Sequence, residues 1–452
     1  MKRSSYRTES AHCERKKSDR KVRKHLNADS LNAEIRREFQ KISDHRSANS
    51  QISLDDALMS AFAMFQLKYP SLLAFEKRRQ EEDDNLHTIY GITNIPSDSQ
   101  MRTILDPLSL SCLRTPFLSV FRHLQRGKDF EKLVYYDGHY LLSGDGTGFY
   151  CSEKISSPYC MGKKSRNGKT LYQQQMYAAS FVHPDQKVVI PVFPEMITSN
   201  DGGDKGDCER NAAKRFYREF RREHPHLKVI VVEDALSSNA PHIRVLQDLD
   251  LRFILGAKPG DHKSLFADLR QATDDGRAVE LEFLDPADRQ AAHFFRYLNQ
   301  VPLNKSNPDL LVNVLEYHQI DKNQKITKFS WVTDIEITDE NVYDLMRAGR
   351  ARWKVENETF NTLKNNGYNL GHNYGLGKKN LSGIFTILMM LAFLVDQAQQ
   401  LACWLFQEAL AKEHTKRSLW EMTRAVFRFH SVTSMESILR AIAYGAKEAW
   451  GT

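Results

Sequence analysis

Val229-Ile230-Val231-Val232-Glu233-Asp234, an apolar run that ends in two acids, is the stretch whose reading settles the architecture. β-Branched residues in an unbroken apolar run read as a central strand of an α/β sheet. The carboxyl end of such a strand is where ligands meet these sheets. Alternation puts Ile230, Val232 and Asp234 on one face and Glu233 on the other.

On either side of this strand the pattern builds a mixed sheet. Upstream, Tyr140 to Tyr150, Leu171 to Val182 and Val188 to Ile197 are rich in β-branched and aromatic residues and are separated by Gly, Asn and Pro-Asp turns. A helix follows over Cys208 to His224, with charged residues on its outer face, and after the central strand come a helix from Pro241 to Leu249 and the strand Phe253 to Ala257. Three strands in a meander, then helix, strand, helix, strand, is the order of a ribonuclease-H-like mixed α/β sheet. The chain divides accordingly: a basic N-terminal arm over 1–50, a helical domain over 51–134 and the first part of the core over 135–258. A β-rich insertion without a long helix occupies 259–340 and does not fit that sheet, a core helix spans 341–379 and C-terminal helices fill 380–452. The helical domain opens with Ser53 as N-cap and with Leu54, Ala57, Leu58, Ala61, Phe62 and Phe65 on one face. A DNA-binding helix-turn-helix is compatible with it, but spacing alone picks out no recognition helix.

Three acids stand out. Asp234 ends the central strand, where it either meets a cation or caps the turn Ser237-Ser238-Asn239. Asp145 lies between Gly144 and Gly146, which reads either as a strand acid open to close approach or as an ordinary Asp-Gly turn. Glu356 rests on helical geometry: at about 100° per residue, Val342, Met346, Gly349, Trp353, Phe360 and Leu363 form one apolar stripe and Glu356 falls within it. Glu358 points the other way, and Arg352, one turn earlier, is the alternative partner of Glu356 in a plain ion pair. Carboxylates on two strands and a helix are the donor set for two divalent ions in phosphodiester chemistry. Oxygen-only ligands favour Mg2+ or Mn2+ over zinc.

Charge is uneven. The formal net charge is +7, of which residues 1–30 carry +6. A basic arm on a near-neutral body reads either as a polyanion-binding segment or as a solvated terminus. The six cysteines are scattered and form no disulfide framework, and Cys151 and Cys160 stand nine apart, wider than zinc knuckles use. The most apolar stretch, Ile384 to Val395, is too short to cross a bilayer, and the start of the chain lacks a signal-peptide core, so a cytoplasmic protein with no membrane partner is expected.

Taken together, these residues resemble a known family. Arg352-Trp353-Lys354-Val355-Glu356, followed by Phe360 and Leu363-Lys364, is similar to the region around the catalytic Glu of bacterial insertion-sequence DDE transposases. Glu233-Asp234-Ala235-Leu236-Ser237-Ser238-Asn239 resembles their second-Asp motif, and Asp145 in Gly144-Asp145-Gly146-Thr147-Gly148 matches the first-Asp strand. The insertion between the second Asp and the Glu fits the cut-and-paste branch, and the resemblance covers about residues 135–400. It implies that Asp145, Asp234 and Glu356 are catalytic and bind Mg2+, with Mn2+ able to substitute, and that Arg352 and Lys364 contact DNA phosphate near the cleaved end. The implied partners are the terminal inverted repeats and target DNA, held by a homodimer in a synaptic complex at the bacterial nucleoid. Two departures are visible: Gly349 stands where the family often has Tyr, and Lys364 is eight residues after Glu356 instead of seven. A nuclease on the same scaffold that cuts without joining, and a catalytically inactive DNA-binding relative, are the alternatives.

Overall fold

The structure, a computed structural model, describes residues 21–80, 84–157, 160–164, 167–197, 208–284, 292–321, 323 and 325–445; the basic arm as far as residue 20 lies outside the described residues. The chain is a mixed α/β protein that separates into two compact units, one drawn from residues 1–132, 148–174 and 361–452, the other from 133–147 and 175–360.

The first unit is mostly helical. Its centre is the helix Leu381–Ala402, in which every residue except Gln400 is buried. This helix is apolar and long enough to cross a membrane, but 94% of its apolar window is buried within the protein. The helices Leu54–Gln66 and Arg114–Arg126 pack against it. Leu54–Gln66 starts where Ser53 Oγ accepts the Asp56 amide at 3.2 Å, and all of its residues but Asp55 are buried. Between this helix and the core sits a buried cation. Lys68, at φ +57°, donates from Nζ to the Gln66 carbonyl (2.7 Å) and to the Asp396 carboxylate, which Tyr368 also bonds. The ammonium lies 4.0 Å from the Trp420 ring centroid and 4.6 Å from that of Tyr368. A buried lysine is tolerable only with this degree of pairing.

The second unit contains the strand that opened the sequence reading and most of the sheet; Met161–Lys164, the end of His139–Ser152 and the start of Thr170–His183 belong to the first unit. The strands are β1 (Val134–Tyr136), β2 (His139–Ser152), β3 (Met161–Lys164), β4 (Thr170–His183), β5 (Gln186–Pro191), β6 (Glu195–Ile197), β7 (Val229–Glu233), β8 (Arg252–Gly256), β9 (Val279–Leu284), β10 (Ala292–Asn304), β11 (Asn307–Ile320) and β12 (Ile326–Thr333). They form one open mixed sheet of 12 strands in the order β3-β4-β2-β7-β8-β12-β11-β10-β9, with β1 on β2 and with β5 and β6 on β4. β7 is central and every residue in it is buried. It runs parallel to β2, pairing Tyr140 with Val229 through Ser143 with Val232, and parallel to β8, pairing Glu233 with Leu255. These registers bring Asp145, two residues beyond Ser143, and Asp234 to the same end of neighbouring strands.

Three expectations need correction. Residues 259–340 do fit the sheet: β12 pairs antiparallel with β8, Trp331 opposite Gly256 and Thr333 opposite Ile254, and β11, β10 and β9 follow as a meander. The same stretch does contain a substantial helix, Lys263–Asp274, whose Leu265, Phe266, Leu269 and Ala272 recur at helical spacing and bury one face, and which packs on β10. Finally, the core helix expected over 341–379, with one apolar stripe from Val342 to Leu363, is regular only over Val342–Ala351. After a break at Arg352 it widens into a π-helical turn, Val355–Phe360, before the short helix Asn361–Asn365. Trp353, expected on the apolar stripe, lines a cleft together with Gly349 and Glu356 and is 46% exposed.

Candidate acidic site at the strand ends

Each predicted acid owes its place to a different local feature. Asp145 lies within β2, where its Oδ1 accepts the Gly146 amide at 2.7 Å. Asp234 follows β7 immediately, and its Oδ1 accepts the Leu236 amide at 2.8 Å while its carbonyl accepts the Ser237 amide at 3.2 Å. The turn-capping alternative for Asp234 is therefore realised, with the second carboxylate oxygen left for other work. Glu356 sits on the π-helical turn, and Arg352 donates to its Oε1 at 2.6 Å, so the ion-pair alternative is realised as well. Arg352 Nη1 also stands 3.5 Å from Asp145 Oδ2, so a single guanidinium bridges the first and third acids. The Ser143 hydroxyl donates to the Arg352 carbonyl at 3.0 Å, tying this segment to β2.

A fourth acid belongs to the group. Glu209, at the start of the helix Glu209–Glu223, lies against Gly146, where an added Cβ would run into its carboxylate. Burial, Asp234 and Glu233 all push the Glu209 carboxyl above its ordinary range. Burial and then Glu209 push Asp145 up to about 7, with a further push from Glu356, against the opposing pull of the Gly146 amide and Arg352. Crowded acids, offset by Arg352 at Asp145 and by Arg210 at Glu209, leave an excess of negative charge, which protons relieve in part and which a cation would relieve further. Glu209 was not visible as a site residue in the sequence. The signal for it was Gly146, a glycine beside a strand acid that allows something to approach closely.

Asp234, Arg352 and Glu356 open on a cleft of about 640 Å³. Its other wall is basic and aromatic. Lys258 and Lys328 are exposed there, the Arg350 guanidinium lies 5.3 Å from the Phe329 centroid, and Phe329 and Trp331 stack at 5.7 Å with their planes 10° apart. The Arg352 guanidinium covers Trp353 at 4.5 Å. Gly349 explains itself here: a Cβ at that position would collide with the Trp331 indole, so the helix can pass β12 only with a glycine.

Arg352 thus links Asp145 to Glu356, and Asp234, at the end of the strand beside Asp145, lines the same cleft as Arg352 and Glu356, all within one unit. Lys364 is exposed on the helix Asn361–Asn365, which belongs to the other unit. Among the described residues, no three acidic, histidine or cysteine side chains stand close enough to hold a metal ion as they are placed. Their chemistry is nevertheless that of a hard-cation site: carboxylate oxygens without sulfur or imidazole. Compared with known proteins, the chain matches no family model and no curated protein.

Proposed function

We propose that this chain is a DNA transposase of the DDE type, acting through a ribonuclease-H-like core. It binds the ends of an insertion sequence, cleaves them by metal-dependent phosphodiester hydrolysis and joins the 3′ ends to target DNA. The observation that carries the reading is the meeting of Asp145 and Glu356, from a strand and a helical segment, at one guanidinium, with Asp234 at the end of the parallel strand beside Asp145. The sheet supports the core assignment: β5 and β4 are antiparallel neighbours, β2 lies next to β4, and β7 and β8 follow in parallel.

Asp145, Asp234 and Glu356 are the residues that would hold Mg2+, or Mn2+ in its place. Bound there, divalent ions supply activation of the attacking hydroxyl and stabilisation of the leaving oxygen. The protein's own groups do the rest. Arg352, released from the acids once their charge is met by a cation, can turn to a phosphate oxygen within the same cleft. Lys258, Lys328 and Arg350 give that cleft a basic wall for a phosphodiester backbone. Trp353, 46% exposed, offers a ring against which an unpaired base stacks. Lys364 is a second phosphate contact by family resemblance, and the active assembly is a homodimer that holds both ends.

The reading is tested with a duplex carrying the inverted repeat that flanks the coding region, incubated with protein and Mg2+. End cleavage by the wild-type protein, lost in Asp145→Asn, Asp234→Asn and Glu356→Gln while DNA binding persists, is the expected result. A pre-cut end then separates joining from cutting: cleavage without strand transfer would leave a nuclease. Binding with no cleavage under any metal would leave an inactive relative.

A further inference from the structure

Glu233, the acid on the opposite face from Asp234, is fully enclosed and heavily bonded. Its Oε2 accepts from His242 Nε2 at 2.7 Å, and its Oε1 accepts from the Tyr217 hydroxyl at 2.9 Å and from the Tyr177 hydroxyl. The two tyrosine oxygens are themselves 2.9 Å apart. All four side chains are buried. They come from four separate elements: Tyr177 from β4, Tyr217 from Glu209–Glu223, Glu233 from β7 and His242 from the helix Ala240–Asp248. A fifth element joins through its backbone, because the Tyr177 hydroxyl packs so closely on Gly144 that a Cβ there would overlap it.

This arrangement is tied to the acids above it by single covalent steps. Gly144 precedes Asp145, Glu233 precedes Asp234, and Tyr217 is two helical turns along from Glu209. A buried carboxylate is costly, and an ordinary core would fill this space with apolar side chains. Its full satisfaction by three donors from three other elements makes a rigid joint at the one level of the sheet where strand-end geometry matters. Resting on the reading of the preceding subsection, we infer that Glu233 is a positioning residue: with Tyr177, Tyr217 and His242 it clamps β2, β7 and the Glu209 helix, keeping Asp145 and Asp234 side by side at neighbouring strand ends, the placement from which they would take up a divalent ion.

The test uses the full chain and two readouts, Mn2+ affinity by titration calorimetry and cleavage of the repeat-bearing duplex, on wild type, Glu233→Gln, Tyr217→Phe and the ligand control Asp145→Asn. Glu233→Gln and Tyr217→Phe are expected to keep a native circular dichroism spectrum and cooperative melting while Mn2+ affinity falls about 10-fold or more, as for residues that orient metal ligands. Turnover should fall with KM for DNA unchanged, and excess Mn2+ should restore it in these two variants but not in Asp145→Asn. Wild-type affinity and turnover in both variants, beside their loss in Asp145→Asn, would overturn the inference. If Glu233→Gln fails to fold, Tyr217→Phe decides alone. Wild-type protein that binds Mn2+ without cleaving sinks the transposase reading and leaves the clamp standing, whereas wild-type protein that binds no Mn2+ sinks both.

Discussion

Replacing Asp145 with Asn should make the metal-free protein more stable at alkaline pH. The Asp145 carboxyl is pushed from an ordinary 3.8 to about 7, burial first and Glu209 second. A group whose folded pKa lies above its unfolded value favours the native state while protonated, and that advantage drains away as pH rises from about 4 to about 7. At about 1.4 kcal/mol per pH unit, the interval sets a ceiling of about 4 kcal/mol, and readjustment of the neighbouring Glu209 and Glu356 brings the expected gain to roughly 2 kcal/mol. The assay is urea unfolding of wild type and Asp145→Asn at pH 5 and pH 8 in the presence of a chelator. The stability difference between the two proteins should favour the variant by about 2 kcal/mol more at pH 8 than at pH 5. Adding Mg2+ at pH 8 should stabilise the wild type and close most of that gap. A difference that does not change with pH, or a variant less stable at pH 8 than at pH 5 relative to wild type, would refute the view that like charges are crowded at the strand ends.

Two further outcomes concern packing. Gly349→Ala should cost about 1–3 kcal/mol because the new methyl meets the buried Trp331 indole, and a second change, Trp331→Leu, should recover part of the loss in a double-mutant cycle measured by chemical denaturation. Lys68→Met leaves Asp396 enclosed with only Tyr368 as donor and should cost about 3–5 kcal/mol, while Lys68→Met combined with Asp396→Leu should cost clearly less, as read from melting of the two variants.

Much of the sheet was legible because strands announce themselves locally. The run from Val229 to Val232 is buried throughout, and the stretches around Tyr140, Leu171 and Val188 became β2, β4 and β5, with Pro194 separating off β6. The acids were legible for the same reason, since a carboxylate on an apolar strand or stripe is out of keeping with its surroundings. What was not legible is non-local. No periodicity in Ile326 to Thr333 says that its partner is β8, so the extension of the sheet was missed. The four buried residues of the helix Lys263–Asp274 sit among charged neighbours that dilute the pattern. The π-helical turn departs from 100° per residue, and neither Trp353 nor Glu356 lies on a buried face: both border an open cleft, Glu356 paired with Arg352. Glu209 and the Glu233 cluster depend on contacts between β4, two helices and β7, and only Gly144 and Gly146 hinted that something presses on that strand.

The first unit draws its helices from both ends of the chain, with Leu381–Ala402 as the surface on which Leu54–Gln66 and Arg114–Arg126 settle. On the ribosome, the early helices can pack on one another but emerge without the helix that covers their remaining apolar sides. Some 336 residues separate Gln66 from Ala402; at the usual pace of synthesis they take roughly 15–70 s to make. A chain cut short before Leu381 would therefore leave the sides of Leu54–Gln66 and Arg114–Arg126 that pack on Leu381–Ala402 uncovered.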